Sequence, residues 1–147
     1  MKKFHLITRA VILRENHVLL AHQKEADNTF LPGGHVEIGE SAVSALKREI
    51  DEELHLEAEV LEYLGAVEAG WEDGLFKHYE INHLFKVNIN TTEICNSVSS
   101  YEDHLEFFWS PIDELVKNNL LPYPLIPLIR RLAAGDNSVW WESSLTD

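Results

Sequence analysis

Nine acidic residues fall between Glu37 and Glu62 (Glu37, Glu40, Glu49, Asp51, Glu52, Glu53, Glu57, Glu59 and Glu62), against only Lys47 and Arg48. This stretch therefore holds −7 of the chain's formal charge of −13. Val43, Leu46, Ile50 and Leu54 recur at helical spacing with no glycine or proline between them, so Ser41 to Leu54 reads as a helix. At about 100° per residue, Glu49, Glu52 and Glu53 share an arc of about 100°, and Asp51 points to the opposite side. The carboxylates border the apolar stripe and so line the edge of a crevice. Three ionised carboxylates about 6 Å apart repel at nearly 3 kcal/mol per pair at an effective dielectric of about 20. Arg48, four residues before Glu52, neutralises part of this. The remainder calls for protonation or a hard divalent cation, and all-oxygen ligation suits Mg²⁺ or Mn²⁺. The acids alone also fit a solvated helix face that confers solubility.

Just upstream, Leu31-Pro32-Gly33-Gly34 can present backbone groups to a metal or phosphate without side chains in the way. Glu40 stands at the helix entrance, where an acid suits the dipole. The other elements must hold these parts in place. Phe4 to Leu13 and Val18 to His22, around Arg14-Glu15-Asn16-His17, predict a hairpin. Glu57 to Val67 and Phe76 to Val87 read as long strands around a Gly70-Trp71-Glu72-Asp73-Gly74 turn. On the second of these, Tyr79, Ile81, Phe85 and Val87 share a face with His83, and Tyr79 and Phe85 are expected in the core. His104 to Trp109 is a further strand. Ser110-Pro111-Ile112-Asp113 reads as a helix start with Ser110 as cap, and Pro124 to Ala134 as a last helix stopping at Gly135. Strands and helices mixed in this order suit an α/β sandwich with a mixed β-sheet.

Gly34, five residues, Glu40, seven residues, then Arg48-Glu49-Ile50-Asp51-Glu52-Glu53-Leu54-His55-Leu56 resembles the Nudix box of the Nudix hydrolases, MutT-like proteins among them. Eight of nine defining positions over 23 residues match, and Leu31-Pro32-Gly33-Gly34 and Trp109-Ser110-Pro111-Ile112-Asp113-Glu114-Leu115 also look like Nudix sequence. His55 departs, standing where the family has glycine. That position favours a left-handed cap, which a histidine adopts at a cost of about 1 kcal/mol, so the departure bears on how the helix ends. The resemblance implies an α/β/α sandwich and Mg²⁺-dependent hydrolysis of a pyrophosphate bond in a nucleoside diphosphate joined to another group. It implies Glu49, Glu52 and Glu53 as metal ligands with a carbonyl of Gly33 or Gly34, Glu52 being also the candidate general base. Arg48 and Glu40 would orient the carboxylates. A distal-loop acid often joins such sites; Glu102 is preferred here over Asp103 and Glu106, with an ordinary exposed loop acid as the alternative.

Substrate choice is less well marked. A proline typical of ADP-ribose enzymes is replaced by Trp71, and a tyrosine typical of dinucleoside-polyphosphate enzymes falls within Glu72-Asp73-Gly74. Trp71 could stack on a base or plug the end of the core; Arg9 and Gly33 are the other candidate substrate contacts. A nucleoside triphosphate, including a damaged one, is the preferred substrate. ADP-ribose, nucleotide sugars and dinucleoside polyphosphates are alternatives, as are a non-catalytic nucleotide-sensing module and an acidic interaction domain. The intact Arg48, Glu49, Glu52 and Glu53 favour the enzyme.

The whole-chain arithmetic is consistent with this. The 147 residues fit one domain spanning 1–147, and 12 Lys+Arg against 25 Asp+Glu exclude a charge-driven grip on a nucleic-acid polymer. No apolar run reaches the roughly 20 residues of a membrane helix. The lone Cys95 cannot form an internal disulfide, which suits a reducing, cytoplasmic setting where the Asn90-Thr91-Thr92 glycosylation pattern has no meaning. Eight histidines show no zinc-ligand spacing. Trp140-Trp141 is expected to cover a sheet edge or a subunit contact, in a monomer or homodimer. The helical-face assignment predicts that Glu53→Gln abolishes Mg²⁺-dependent hydrolysis with the fold preserved, while Asp51→Asn leaves turnover near normal. Steady-state assays showing equal damage from both would contradict it.

Overall fold

The computed structural model describes residues 1–90 and 99–145; Thr91, Thr92 and Cys95 lie outside the described residues. In chain order the strands are β1 (Lys2–Val11), β2 (Leu13–Arg14), β3 (His17–Gln23), β4 (Thr29–Phe30) and β5 (Gly33–His35). After helix α1 (Ala42–Leu54) come β6 (Ala58–Asp73), β7 (Phe76–Ile89) and β8 (Leu105–Pro111), then helix α2 (Leu125–Ala133) and β9 (Trp140–Ser143).

The larger sheet has the order β5-β1-β7-β6-β9. It is mixed: β1 runs parallel to β7 and β9 parallel to β6, whereas β5 and β6 are antiparallel to β1 and β7. In the smaller sheet β3 pairs with β2, β4 and β8. Apolar side chains pack on both faces of the larger sheet, on one of them over only part of its length. On one, Leu46, Ile50 and Leu54 of α1 meet Ala10, Phe85, Val87 and Trp109. On the other, Leu128, Ile129 and Leu132 beside Val67, Leu84 and Trp140 bring in α2. This is the expected α/β/α sandwich.

Helix α1 begins as its sequence indicates, with Ser41 Oγ accepting the Ser44 N–H at 3.0 Å. It ends on His55, which takes the left-handed conformation (φ 51°, ψ 38°) and donates its N–H to the Asp51 carbonyl at 2.9 Å. The missing glycine therefore does not alter the cap. The His55 ring also stacks on Tyr101 with centroids 3.7 Å apart.

Four expectations need correction. The hairpin is short: only Leu13 and Arg14 pair with Val18 and His17, across Glu15 and Asn16 at φ 46° and 65°, the signs a type I′ turn requires. The preceding strand β1 lies in the other sheet, where ten register pairs with β7 outweigh the local pairing. β6 continues through Gly70, Trp71 and Glu72 to Asp73, so the turn contracts to Gly74-Leu75 and Trp71 pairs with His78. Phe85 is buried, but Tyr79 is 44% exposed because α1 ends short of its row of the sheet. Ser110 belongs to β8, its hydroxyl donating to the Pro111 carbonyl, and Ile112–Glu114 form a single 3₁₀ turn without a side-chain cap.

Trp140 is buried where β9 closes the sheet edge, and Trp141 is exposed beside it. Gly65, at φ 139°, faces Trp140, and a Cβ there would overlap the Trp140 carbonyl. Gly74, at φ 50°, has open space around it. Urea denaturation should show Gly65→Ala costing about 3 kcal/mol or more, against about 1 kcal/mol for Gly74→Ala. Equal costs would contradict the packing of β9 on β6.

Candidate active site

The acid-bearing turns of α1 lie against β5, and the contact leaves no room for a side chain. A Cβ on Gly34 would sit 2.5–2.7 Å from the carboxylate atoms of Glu49, so glycine here makes the space that carboxylate occupies. Beside it Glu53 is buried at 5% exposure. The Gly33 backbone amide favours its charged form, but Oε2 is buried with no hydrogen-bond partner. Burial, then the Glu49 charge, pushes the Glu53 carboxyl up to about 8, against the opposing pull of Arg9. Burial likewise raises Glu49, opposed by its hydrogen bond from Arg48. Glu52 stands further out, half exposed.

Arg48 ties the cluster together. Its Nη2 and Nε donate to Glu40 at 2.6 and 3.2 Å, its Nη1 to Glu49 at 3.0 Å and toward Glu52 at 3.4 Å, and its Nη2 to the His35 carbonyl at 3.1 Å. The bond to Glu40 above all raises the guanidinium pKa, and the same bond, with the Glu37 N–H at 2.9 Å, lowers Glu40. One fork thus fixes the helix entrance, β5 and two acids of α1 relative to one another.

The loop before β8 brings a fifth acid close. Tyr101 donates its N–H to the Glu53 carbonyl at 2.8 Å, its ring lies on His55, and Ser100 Oγ accepts the Glu102 N–H. Glu102 then lies near enough for its charge to raise Glu53 further. Glu106 does not join this group; it faces His22 at 3.4 Å.

Among the described residues no three His, Cys, Asp or Glu side chains already form a metal cage. The donor set nevertheless fits a hard cation: the groups are all oxygens, one is an orphaned buried carboxylate oxygen, and Gly34 lets the Glu49 carboxylate lie against the strand beside it. Glu52 is held by Arg48 at the outer edge of this set, and a shift of its side chain would complete it.

Beyond the acids opens a cavity of about 740 Å³ lined by Arg9, Phe30, Trp71, Glu80, Asn82 and Tyr123, among others. Among the described residues Arg9 donates to the Leu31 carbonyl at 3.1 Å, and it lies 5.1 Å over the Phe30 ring. Burial lowers its pKa, with Glu53, Glu80 and Glu49 opposing. Trp71 is 46% exposed and stacks on the buried His78 at 3.6 Å, the rings 4° apart. His78 is held by Asp73 at 3.1 Å and by His5 at 2.8 Å, and His5 in turn meets His35 at 3.0 Å. The sequence reading missed Glu80, Asn82 and this histidine chain. Period-two alternation on β7 was available to place Glu80 and Asn82 together on the face opposite Tyr79 and Ile81, but nothing local showed that this face borders a cavity.

Comparison with known proteins follows the same lines. The mutator MutT protein from Bacillus halodurans superimposes with a TM-score of 0.71 at 18% identity, covering 95% of this chain and 88% of that one. The E. coli ORF135 protein matches at 28% identity and TM-score 0.60, covering 90% of each chain. An ADP-ribose pyrophosphatase from Streptococcus suis matches at 17% identity and TM-score 0.61, covering 95% of this chain and 98% of that one. No curated protein matches the chain. The family model for the NUDIX domain matches residues 3–132, which takes in the acid helix, the Gly-Gly strand and both layers of helix, and the chain accordingly belongs to the Nudix family.

Proposed function

We propose that this Nudix protein is a Mg²⁺-dependent hydrolase that cleaves the pyrophosphate bond of a nucleoside diphosphate joined to another group, with a nucleoside triphosphate, including a damaged one, as the preferred substrate. The observation that carries the reading is the partnerless buried oxygen of Glu53 beside Glu49 and Gly34. A carboxylate left so is costly unless a proton or a cation completes it. An acidic crevice also cannot take a polyphosphate directly, because both partners are negative.

Glu49, Glu52 and Glu53, with the Gly34 carbonyl, would hold Mg²⁺, or Mn²⁺ in its place. Such an ion, when bound, neutralises phosphoryl oxygens and lowers the pKa of an attacking water. The protein's own groups do the rest. Arg48, itself held by Glu40, keeps Glu49 in position, so that among these acids only the Glu52 side chain has to move to join the set. Glu52, at the exposed edge of the cluster, is placed to take a proton from water, and Glu102 is the second candidate for that role. Arg9 has guanidinium N–H groups beyond the one on Leu31, so it can receive a phosphate between the acids and the cavity. Trp71, immobilised on His78, offers a flat ring for a base.

The substrate would be a small molecule, not a nucleic-acid polymer, since a chain with a net charge of −13 repels a phosphate backbone. Among the described residues no helix is long and apolar enough to cross a membrane; a cytoplasmic setting is part of the proposal.

A screen of canonical and oxidised nucleoside triphosphates, ADP-ribose, nucleotide sugars and dinucleoside polyphosphates with Mg²⁺, identifying both products, tests the reading. It predicts turnover that vanishes on chelation and is fastest with a triphosphate. Fastest turnover of ADP-ribose or a nucleotide sugar would overturn the substrate choice alone. Binding of nucleotides without cleavage of any would replace the enzyme by a sensing module.

A further inference from the structure

The larger sheet has one face only half covered. Helix α1 packs on the half carrying Ala10, Phe85 and Val87. Two residues apart along each strand, the same face continues as Thr8, Leu6 and Phe4 on β1 and as His83, Ile81 and Tyr79 on β7. Across the β6 register it continues through Ala66, Glu68 and Gly70, and Trp141 of β9 lies next to Ala66. Tyr63 joins it, bonded to His83 at 2.9 Å and packed on Phe85 at 5.2 Å. Beyond α1 this is an aromatic and aliphatic surface open to solvent: Phe4 is 63% exposed, Tyr63 50%, Tyr79 44% and Trp141 64%. Scattered exposed apolar residues are ordinary, but a contiguous patch spanning four strands of one sheet is not.

We propose that this open half-face is where two copies of the chain pair about a two-fold axis, sheet against sheet. Size supports a second copy as the occupant. An aromatic side chain covers roughly 150–250 Å² when fully buried, so four at about half exposure already approach half of the roughly 800 Å² per partner that a stable interface uses. Leu6, Ile81 and the surrounding polar rim lie in the same plane. Charge supports it too. In a chain at −13 this region carries Lys2 and Lys77 against Glu68 and Glu72, with Lys77 and Glu72 already 3.6 Å apart. Two copies can therefore approach here without the repulsion that the acid-rich α1 side would impose. Paired sheets stack about 10 Å apart, a spacing that Tyr79 and Trp141 can fill. Arg9, Glu80 and Asn82 sit on the opposite face of the sheet, so the pairing leaves the cavity mouth open.

Sedimentation equilibrium of the full chain at micromolar concentration should return twice the 16.9 kDa of one chain, and the double variant Tyr79→Glu/Trp141→Glu should return a single chain that still melts cooperatively. Acrylamide quenching of tryptophan in the unmodified protein gives a reading free of any folding defect. Trp141 is covered in the pair, so quenching should rise as dilution dissociates it. A single-chain mass for the unmodified protein, a double variant that stays dimeric, or quenching that ignores concentration would each overturn the proposal.

Discussion

A buried carboxylate oxygen with no partner is the constraint around which this molecule is arranged. Glu53 Oε2 lies buried on α1 beside Glu49, where desolvation disfavours its charge and nothing among the described residues supplies the missing bond. The groups close to it keep that position tight without supplying the missing partner. Gly34 removes the side chain that would collide with the neighbouring Glu49 carboxylate. Arg48 spends its donors on Glu40, Glu49, Glu52 and the His35 carbonyl, and none reaches Glu53. The strongest cation of the cluster thus orders the acids without neutralising the innermost one. That division is what the proposed cation site rests on, and it distinguishes this cluster from a helix face whose charges are merely balanced.

The rest of the fold serves this arrangement through long-range pairing. β1 carries Arg9 and is flanked by β5 and β7, so the glycine strand, the cavity wall and the buried face of α1 are fixed by one central element. Trp71 is fixed from the side, through His78 and Asp73 on the β6–β7 ribbon. Trp71 and the glycine strand on which the acids of α1 rest therefore belong to one sheet.

How much of this was legible in the sequence depended on the range of the interaction involved. The α1 helix and the shared face of Glu49, Glu52 and Glu53 are set by local periodicity and could be read directly, whereas the association of these acids with Gly33 or Gly34 came only with the family resemblance. Glu102 was reachable only through the family resemblance. What brings it in is the Tyr101 ring on His55, the very residue that departs from the Nudix pattern. The hairpin and the 70–74 turn were misjudged because β1 pairs with a strand more than sixty residues away and β6 gains partners up to Asp73, and neither is visible in a local window. Tyr79 was placed in the core on alternation that is correct for the strand; alternation gives the face but not how much of it the helix covers, and the covered part includes Phe85 and Val87 but not Tyr79.

The central claim is that Glu53 waits for a cation, and proton-linked calorimetry tests it most directly. With its carboxyl at about 8 instead of the ordinary 4.5, Glu53 is mostly protonated at neutral pH, and a metal ligand must give up that proton. Titrating Mg²⁺ at about pH 7 in buffers of different ionisation enthalpy should therefore show millimolar-range uptake with about one proton released per ion, the release fading well above pH 8. No uptake, or uptake with no proton released at neutral pH, would contradict the account.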